Sequence, residues 1–307
     1  MKKLFIYALF IMFNIIFTTN SYSQVTEIKY GKKFEILMTS YPDYEPLSYT
    51  VFIGRYKTLN NVFEQTLQEI LGENIEVKAE TGNTFSDNQE YLKEGTFDMF
   101  MGLYNETHTQ IKNFDHMEYL FPAIGNNPIH LITLPEKASQ IKSLEDLKSL
   151  KGVYIAKEYF SDYVEQSLKN YNVEASLDIF DTYRKLFLGE IDYIIGGYYY
   201  HYTNAIRLGL KDYVSFSKKP IWTIPMFATI SKKSKHYSAL KSLLLKKVKD
   251  KTIEEKIKNN IKEFIEKEEK NNIGVVPPKF VLKEGLNALT PADLGALTPT
   301  DKATNKD

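Results

Sequence analysis

The sequence predicts an α/β protein. Three observations predict it. Short apolar segments alternate with stretches whose apolar residues recur at helical spacing. Glycine closes several of those helical stretches, at Gly72, Gly95 and Gly189. The chain is 307 residues long and 43% hydrophobic without a single cysteine, so burial of a core, not disulfides, must hold it together.

The elements follow in order. Residues 33–39, KFEILMT, read as a strand, and Pro42 and Pro46 force the loop YPDYEPLSY after it. A helix capped at Asn60 or Asn61 carries Phe63, Leu67, Ile70 and Leu71 on one face and stops at Gly72. IEVKAE from Ile75 alternates as a strand, Asn88 to Lys93 is a short helix closed by Gly95, and Phe97 to Leu103 is the next strand. This order implies a parallel sheet with helices packed on it.

A second block repeats the style. Ile129 to Leu134 is a strand; Ser143-Leu144-Glu145-Asp146 is a capping box that opens a short helix ended by Gly152. VYIAK from Val153 is a strand, and Asp162-Tyr163-Val164-Glu165 opens a second helix with Asp162 as its cap. Ala175 to Phe180 reads as a strand, Thr182 to Leu188 as a helix stopped by Gly189, and Ile191 to Ile195 as a strand before Gly196-Gly197. A helix over Tyr198 to Leu208, a strand PMFATISK from Pro225 and amphipathic helices over 237–249 and 252–268 complete the unit.

Both ends differ from this body. Lys2 and Lys3, an apolar run from Leu4 to Phe17 and the small-residue pattern Ser21-Tyr22-Ser23 describe a secretory signal peptide over 1–23. The apolar run is shorter than the ~18 residues a membrane span needs, which favours cleavage over an anchor. Without it the chain holds 37 basic and 39 acidic residues, close to −2 and with no basic stripe for nucleic acid. An exported chain with no cysteine for lipid attachment points to the periplasm. Residues 270–307, with ALTPAD repeated as ALTPTD, are expected to be a flexible tail.

From Lys33 to Glu268 the chain resembles the extracellular solute-binding proteins of family 3. Four segments carry the resemblance. KFEILMTSYPDYEPL sits where that family has its first strand and Tyr-Pro-Pro-Phe loop, and EYLKEGTFDMFMG matches its helix, glycine and Asp-containing strand. SLEDLKSLKGVYIAKE matches its Leu-x-Asp-Leu-Lys-Gly segment, and LFLGEIDYIIGG its Leu-x-x-Gly-x-x-Asp strand. The resemblance implies a two-lobed periplasmic binding protein of type II, with a mixed, mostly parallel sheet in each lobe. Lobe 1 would be discontinuous, over 24–127 and 226–269, and lobe 2 would span 128–225. It implies a receptor of an ABC-type importer, working as a monomer with an inner-membrane permease, and no catalytic residues, metal or cofactor.

Ligands of open α/β sheets bind beyond the carboxyl ends of the strands. The candidate ligand-binding residues at four such ends are Tyr41, Asp43 and Tyr44; Tyr104, Asn105 and Lys112; Tyr159, Phe160 and Ser161; and Tyr198. The family's amino-acid receptors clamp the ligand carboxylate with an arginine in a Thr-Pro-Glu-Arg motif. Here that place reads YNETHTQIKNFD, and the only arginines are Arg55, Arg184 and Arg207, none in a matching segment. The family's second-lobe acid, which takes the ligand amine, is replaced by Gly196, Gly197 and Tyr198. The expected solute is therefore small, polar or cationic, and not an ordinary amino acid. Two alternatives use the same scaffold. One is a dehydratase-like enzyme with Glu106 and His108 as its acid and base. The other is a binding or sensory module without a transport role. The five histidines form no zinc-ligand spacing, and Trp222, the sole tryptophan, is read as a packing residue near the return crossover.

Overall fold

The computed structural model describes residues 34–40, 47, 49–53, 56–60, 62–80, 85–103, 116–156, 158, 160 and 162–281. The first half opens with β1 (Phe34–Thr39), a hairpin of β2 (Tyr49–Ile53) and β3 (Tyr56–Asn60), and α1 (Val62–Leu71). It continues with β4 (Ile75–Ala79), α2 (Phe85–Glu94) and β5 (Met99–Leu103). The hairpin was not expected, although two β-rich runs separated only by Gly54-Arg55 have hairpin spacing. Helix α1 buries Val62, Phe63 and Leu67 on the face the apolar spacing gives it. Its end is fastened to β4 by Gln68, which accepts from the Val77 N–H at 3.0 Å and donates to the Ile75 carbonyl at 2.8 Å.

The second half holds α3 (Pro135–Ala138), a 3-10 turn over Leu144–Ser149, β7 (Gly152–Ile155), α4 (Asp162–Leu168) and β8 (Val173–Ser176). Then come α5 (Ile179–Leu188), β9 (Tyr193–Gly197), α6 (Tyr198–Arg207), a 3-10 turn over Lys211–Tyr213 and β10 (Ser215–Phe216). The Ser143/Asp146 capping box forms as expected, but it opens a 3-10 segment, not an α-helix. The strand expected over 175–180 ends at Ser176, and Ile179 and Phe180 are helical. The reason is local: Asp178 accepts from the Asp181 N–H at 2.6 Å and caps α5 three residues before the apolar spacing suggests a start.

The same staple fixes the strand order in both halves. A helix ends at a left-handed glycine, Gly95 (φ 83°) or Gly189 (φ 71°), and an aspartate follows three residues later. Asp98 donates its N–H to the Leu37 carbonyl at 2.8 Å, and its carboxylate accepts from the Leu37 N–H at 2.9 Å. Asp192 does the same with Lys151, at 2.7 and 3.0 Å. Each aspartate thus sets its own strand beside the neighbouring parallel one: β5 beside β1, and β9 beside β7. The remaining oxygens are also used, Asp98 by the Ser234 hydroxyl at 2.5 Å and Asp192 by Lys137 at 3.2 Å.

Two long strands join the halves into one sheet, ordered β4-β1-β5-β11-β6-β9-β7-β8, with β10 on β6. They are β6 (Met117–Thr133), 17 residues long, and β11 (Trp222–Ser231). Only Ile129 to Leu134 of β6 was expected as strand, because Pro122, Gly125 and Pro128 break the apolar pattern. The pairing explains how those prolines are accommodated. Among the described residues, β6 pairs β9 only from Ile129 to Ile132, and β11 pairs β5 only from Met226 to Ile230. Pro128 and Pro225 therefore lie where their strand has a ladder partner on one side, and Pro122 lies in the unpaired stretch between Leu120 and Gly125 at the register shift, both places where a residue without an N–H is tolerated. The ladder shifts register between Met226 and Ala228, and Phe227 there packs edge-on against Tyr119 and Phe121.

Helices α7 (Tyr237–Lys249) and α8 (Thr252–Asn271) close the chain. Helix α8 is tied to the first half through Asn260, which donates to Thr66 Oγ1 at 3.0 Å, and through Lys256 to Glu69. Its last turn reaches the second half, where Arg207 pairs with Glu268 at 2.6 Å and Lys211 and Tyr202 bind Glu269. In the tail expected to be flexible from residue 270, helix α8 runs on to Asn271, and after an exposed stretch that includes Ile273 and Val276 the chain is anchored by the buried Phe280 and Val281. Phe280 is 1% exposed, seated between the rings of Phe180 and Phe187 in the core of the second half beside Tyr183, Leu186 and Ile194. Its apolar surface offsets the entropy of ordering the segment, which the low-complexity reading of 270–307 did not allow for. Residues 282–307 lie outside the described residues.

Phe280→Ala is expected to lower stability by about 3–5 kcal/mol in urea denaturation, whereas a free tail would leave it unchanged. A second expectation concerns Glu64 on α1. Burial pushes its carboxyl up to about 7, against the smaller opposing effect of the Ala79 N–H. Its folded pKa lies above its unfolded one, so its contribution is present in full below about 4.5 and is lost as the pH rises through about 7. Glu64→Gln should flatten that part of the stability-against-pH curve; an identical slope in both proteins would contradict the assignment.

Candidate functional site

The carboxyl ends of the parallel strands define the candidate site. In the first half, the end of β1 is locked by Ser40, whose hydroxyl donates to the Met101 carbonyl at 2.6 Å while Asn88 donates to the Ser40 carbonyl at 3.1 Å. Both bonds are buried, so the two loops that leave β1 and β5 start from fixed points. The candidate residues on those loops, Tyr41, Asp43, Tyr44, Tyr104, Asn105 and Lys112, lie outside the described residues, as do Tyr159 and Ser161.

In the second half the ends of β7 and β9 are neighbours, because the two strands pair in parallel with Gly152 opposite Tyr193. This brings Glu158, on the turn after β7, against Gly197, the first residue before α6. Glu158 Oε2 accepts from the Gly197 N–H at 2.6 Å and Oε1 accepts from His201 Nε2–H at 2.7 Å. Both side chains are buried, at 1% and 0% exposure. The position on β9 where the family resemblance places an acid holds no acid on its own strand; one reaches it from the adjacent turn. Gly196 makes the room: a Cβ there would collide with the His201 ring and stand 2.8 Å from Glu158 Oε1. Beneath the pair, the Tyr183 hydroxyl donates to the His201 carbonyl at 3.1 Å. Burial first, and the charge of Glu158 second, push that phenol far above its ordinary range.

An aromatic wall stands beside this pair. Tyr198 stacks on Tyr202 with centroids 5.2 Å apart and meets Phe216 edge-on at 5.4 Å, with His130 at 5.2 Å. His130 is held by a bond from Nδ1–H to the Ser217 carbonyl at 2.8 Å, and burial lowers its pKa. Phe160, the other described candidate, is 4% exposed and packs 5.8 Å from Tyr154. Of the ten candidates, then, two are placed. Tyr198 belongs to a half-exposed aromatic group, and Phe160 is buried beneath the turn.

Glu158 and His201 were missed. The turn 157–162 and Gly196–Tyr199 were named as separate strand ends, and only the pairing of β7 with β9 makes them one place. The arginines are accounted for in part. Arg184 is held by Asp181 at 2.8 Å and Glu190 at 3.2 Å, and Arg207 by Glu268; Arg55 lies outside the described residues. Among the described residues no three His, Asp or Glu side chains are grouped to hold a metal ion, and no helix is long and apolar enough to cross a membrane. Gly196→Ala is expected to cost roughly 1–3 kcal/mol through overpacking; an unchanged urea midpoint would show that the His201 ring yields without penalty.

No family model matches the chain, and no curated protein matches it. Solved structures do. An amino-acid ABC transporter substrate-binding protein, AbpA of Streptococcus pneumoniae, bound to L-arginine, superposes with a TM-score of 0.55 at 13% identity, covering 77% of this chain and 96% of its own. The GluR0 ligand-binding core in complex with L-glutamate gives 0.57 at 11% identity, over 75% of this chain and 100% of that one. An ancestral amino-acid-binding protein, described as a precursor of cyclohexadienyl dehydratase, gives 0.52 at 14% identity, over 75% and 95%. Together with the two strands that join the halves of the sheet, these likenesses show that the chain has the two-lobed α/β fold of the type II periplasmic binding proteins, shared with amino-acid ABC transporter substrate-binding proteins.

Proposed function

We propose that the chain is a family 3 solute-binding receptor, exported by its N-terminal signal peptide to the periplasm. There it captures a small polar or cationic solute between two lobes and delivers it to an ABC-type permease. The observation that carries this reading is the crossing of the halves by two long sheet strands, β6 and β11, within a fold shared by solute-binding proteins of known structure. The change of partner at Met226, where β11 leaves its β6-only stretch and joins β5, supports lobes divided near residues 127/128 and 225/226. The buried Phe280 and Val281 then belong with the second lobe. Such a receptor acts as a monomer and needs no catalytic pair, metal or cofactor.

The chemistry of the described residues supports a solute other than an ordinary amino acid. Arg184 and Arg207 are committed to ion pairs away from the strand ends. The second half presents an aromatic surface at Tyr198, and ring quadrupoles attract cations; the neighbouring Tyr202 ring already carries the Lys211 ammonium over it at 5.8 Å. An enzyme on this scaffold is the second reading; the likeness to the ancestral dehydratase precursor favours it, and Glu106 and His108 are the side chains it would use.

Trp222, partly buried on β11 opposite Ile129, reports on the crossing. Titration of the mature chain with amines, sugars and neutral amino acids is expected to give a saturable change in its fluorescence and a parallel rise in melting temperature with a cationic or polar solute. A response confined to neutral amino acids would refute the solute class. Turnover of a dehydratase substrate would transfer the assignment to the enzyme, and silence across the panel would remove the transport role.

A further inference from the structure

We infer that Glu158 is a built-in anion. Its carboxylate occupies the donors at the start of α6, so that no anionic group of a ligand can use them, and so turns the site towards cationic and neutral solutes. The inference deepens the solute-binding reading and rests on it for the place of the site.

The argument starts from the strand end. Helix α6 has ten residues and begins at the carboxyl end of β9, on the side of the sheet where ligands of open α/β folds lie. The free N–H groups and the dipole of such a helix start favour an anion. No side chain of the helix's own cap residue can serve, since that residue is Gly197. The N–H is nevertheless taken, by Glu158 Oε2 at 2.6 Å. The second oxygen takes His201 Nε2–H at 2.7 Å, from the first turn of the same helix. Two donors from one helix start thus converge on one carboxylate, the arrangement a bound carboxylate ligand would receive.

Two further observations show that the cradle is built for this occupant. Gly196 leaves the space free of a Cβ that would otherwise stand 2.8 Å from Glu158 Oε1. His201 is wholly buried, and its Nδ1 has no hydrogen-bond partner, so the ring is committed to the carboxylate and not to the helix or core around it. Among the described residues no lysine or arginine pairs with Glu158. Its carboxylate is held by the Gly197 N–H, the His201 ring and the helix start, and it lies next to the residue that leads into Tyr198. An incoming anion finds the donors used and a like charge in place; a cation finds an aromatic wall with a carboxylate behind it.

Glu158→Ala in the full chain tests this by refilling the cradle. Its melting temperature is expected to fall and then to recover by several degrees, saturably, with sodium formate but not with sodium chloride at equal ionic strength, while the wild type ignores formate. Glu158→Gln keeps the volume and covers the case in which the alanine variant does not fold. By calorimetry, N-acetylglycine as the anionic probe should bind this variant about ten-fold more tightly than it binds the wild type, and arginine amide as the cationic probe correspondingly less. A gain of anion affinity is a change that a purely structural role for Glu158 does not produce. A folded alanine variant deaf to formate, or a wild type that binds N-acetylglycine as well as the glutamine variant does, overturns the inference. Formate rescue with neither probe binding any form would leave the anion position standing and retire the solute-binding reading instead.

Discussion

The antiparallel ladder between β6 and β11 is the constraint on which the rest of the structure depends. Each strand gives one end to the first half of the sheet and the other end to the second, so the two halves are one hydrogen-bonded surface. The stretch in between has the ladder on one side only, and the sequence exploits this: Pro128 and Pro225 fall there, where a missing N–H breaks no second ladder, and Pro122 falls in the bulge that has no ladder partner. This crossing, together with α8, which is bonded to both halves, holds the halves in register. The register shift beside Phe227 lies in the same stretch.

Within each half the position of the strand ends is set by one aspartate. Asp98 and Asp192 are separated by 94 positions in the chain, yet each follows a left-handed glycine by three residues and exchanges bonds with both backbone groups of one residue, Leu37 within β1 and Lys151 just before β7. A strand one residue out of register would leave a carboxylate and two backbone groups unpaired, a cost of about 1–3 kcal/mol for each buried group. The loops that leave β1, β5, β7 and β9 therefore begin at defined heights, the β1/β5 pair and the β7/β9 pair running in opposite directions so that β5 ends opposite Met226 and β9 opposite Ile129, both in the middle stretch of the β6–β11 ladder. Fixed starting points are what a binding site made from separate chain segments requires.

The second half then resolves a problem that its own glycines create. With Gly196 and Gly197 at the end of β9, the strand has no side chain to satisfy the start of α6. The turn after β7 supplies Glu158, and His201 completes its coordination. A carboxylate buried to this degree is tolerated because both oxygens are bonded and the helix start lies against it. The outcome is a strand end with a buried carboxylate and aromatic surface, at which no guanidinium from the described residues is placed.

Much of this was legible in the sequence because it is local. Helix α1 announces itself by apolar spacing and Gly72, α6 by its start after Gly197, and the two Gly-x-x-Asp strands by their motif, since a left-handed turn and a backbone-binding aspartate are decided within a few residues. The cap at Asp178 was equally local, and its effect on α5 was overlooked in favour of β-rich composition. Other features had no local signal. The length of β6 was hidden because proline is penalised by a rule that assumes partners on both sides. The anchoring of Phe280 was hidden because low-complexity flanks say nothing of a hydrophobic slot formed by Phe180 and Phe187, some 100 residues upstream. The meeting of Glu158 with Gly197 and His201 depends on two parallel strands lying side by side. The sequence by itself determined which segments are helix or strand and where they stop, because backbone preference and capping act over a few residues. Tertiary structure alone decided which distant side chains share a cradle, because burial and strand pairing are set by neighbours in space, not by neighbours in the chain.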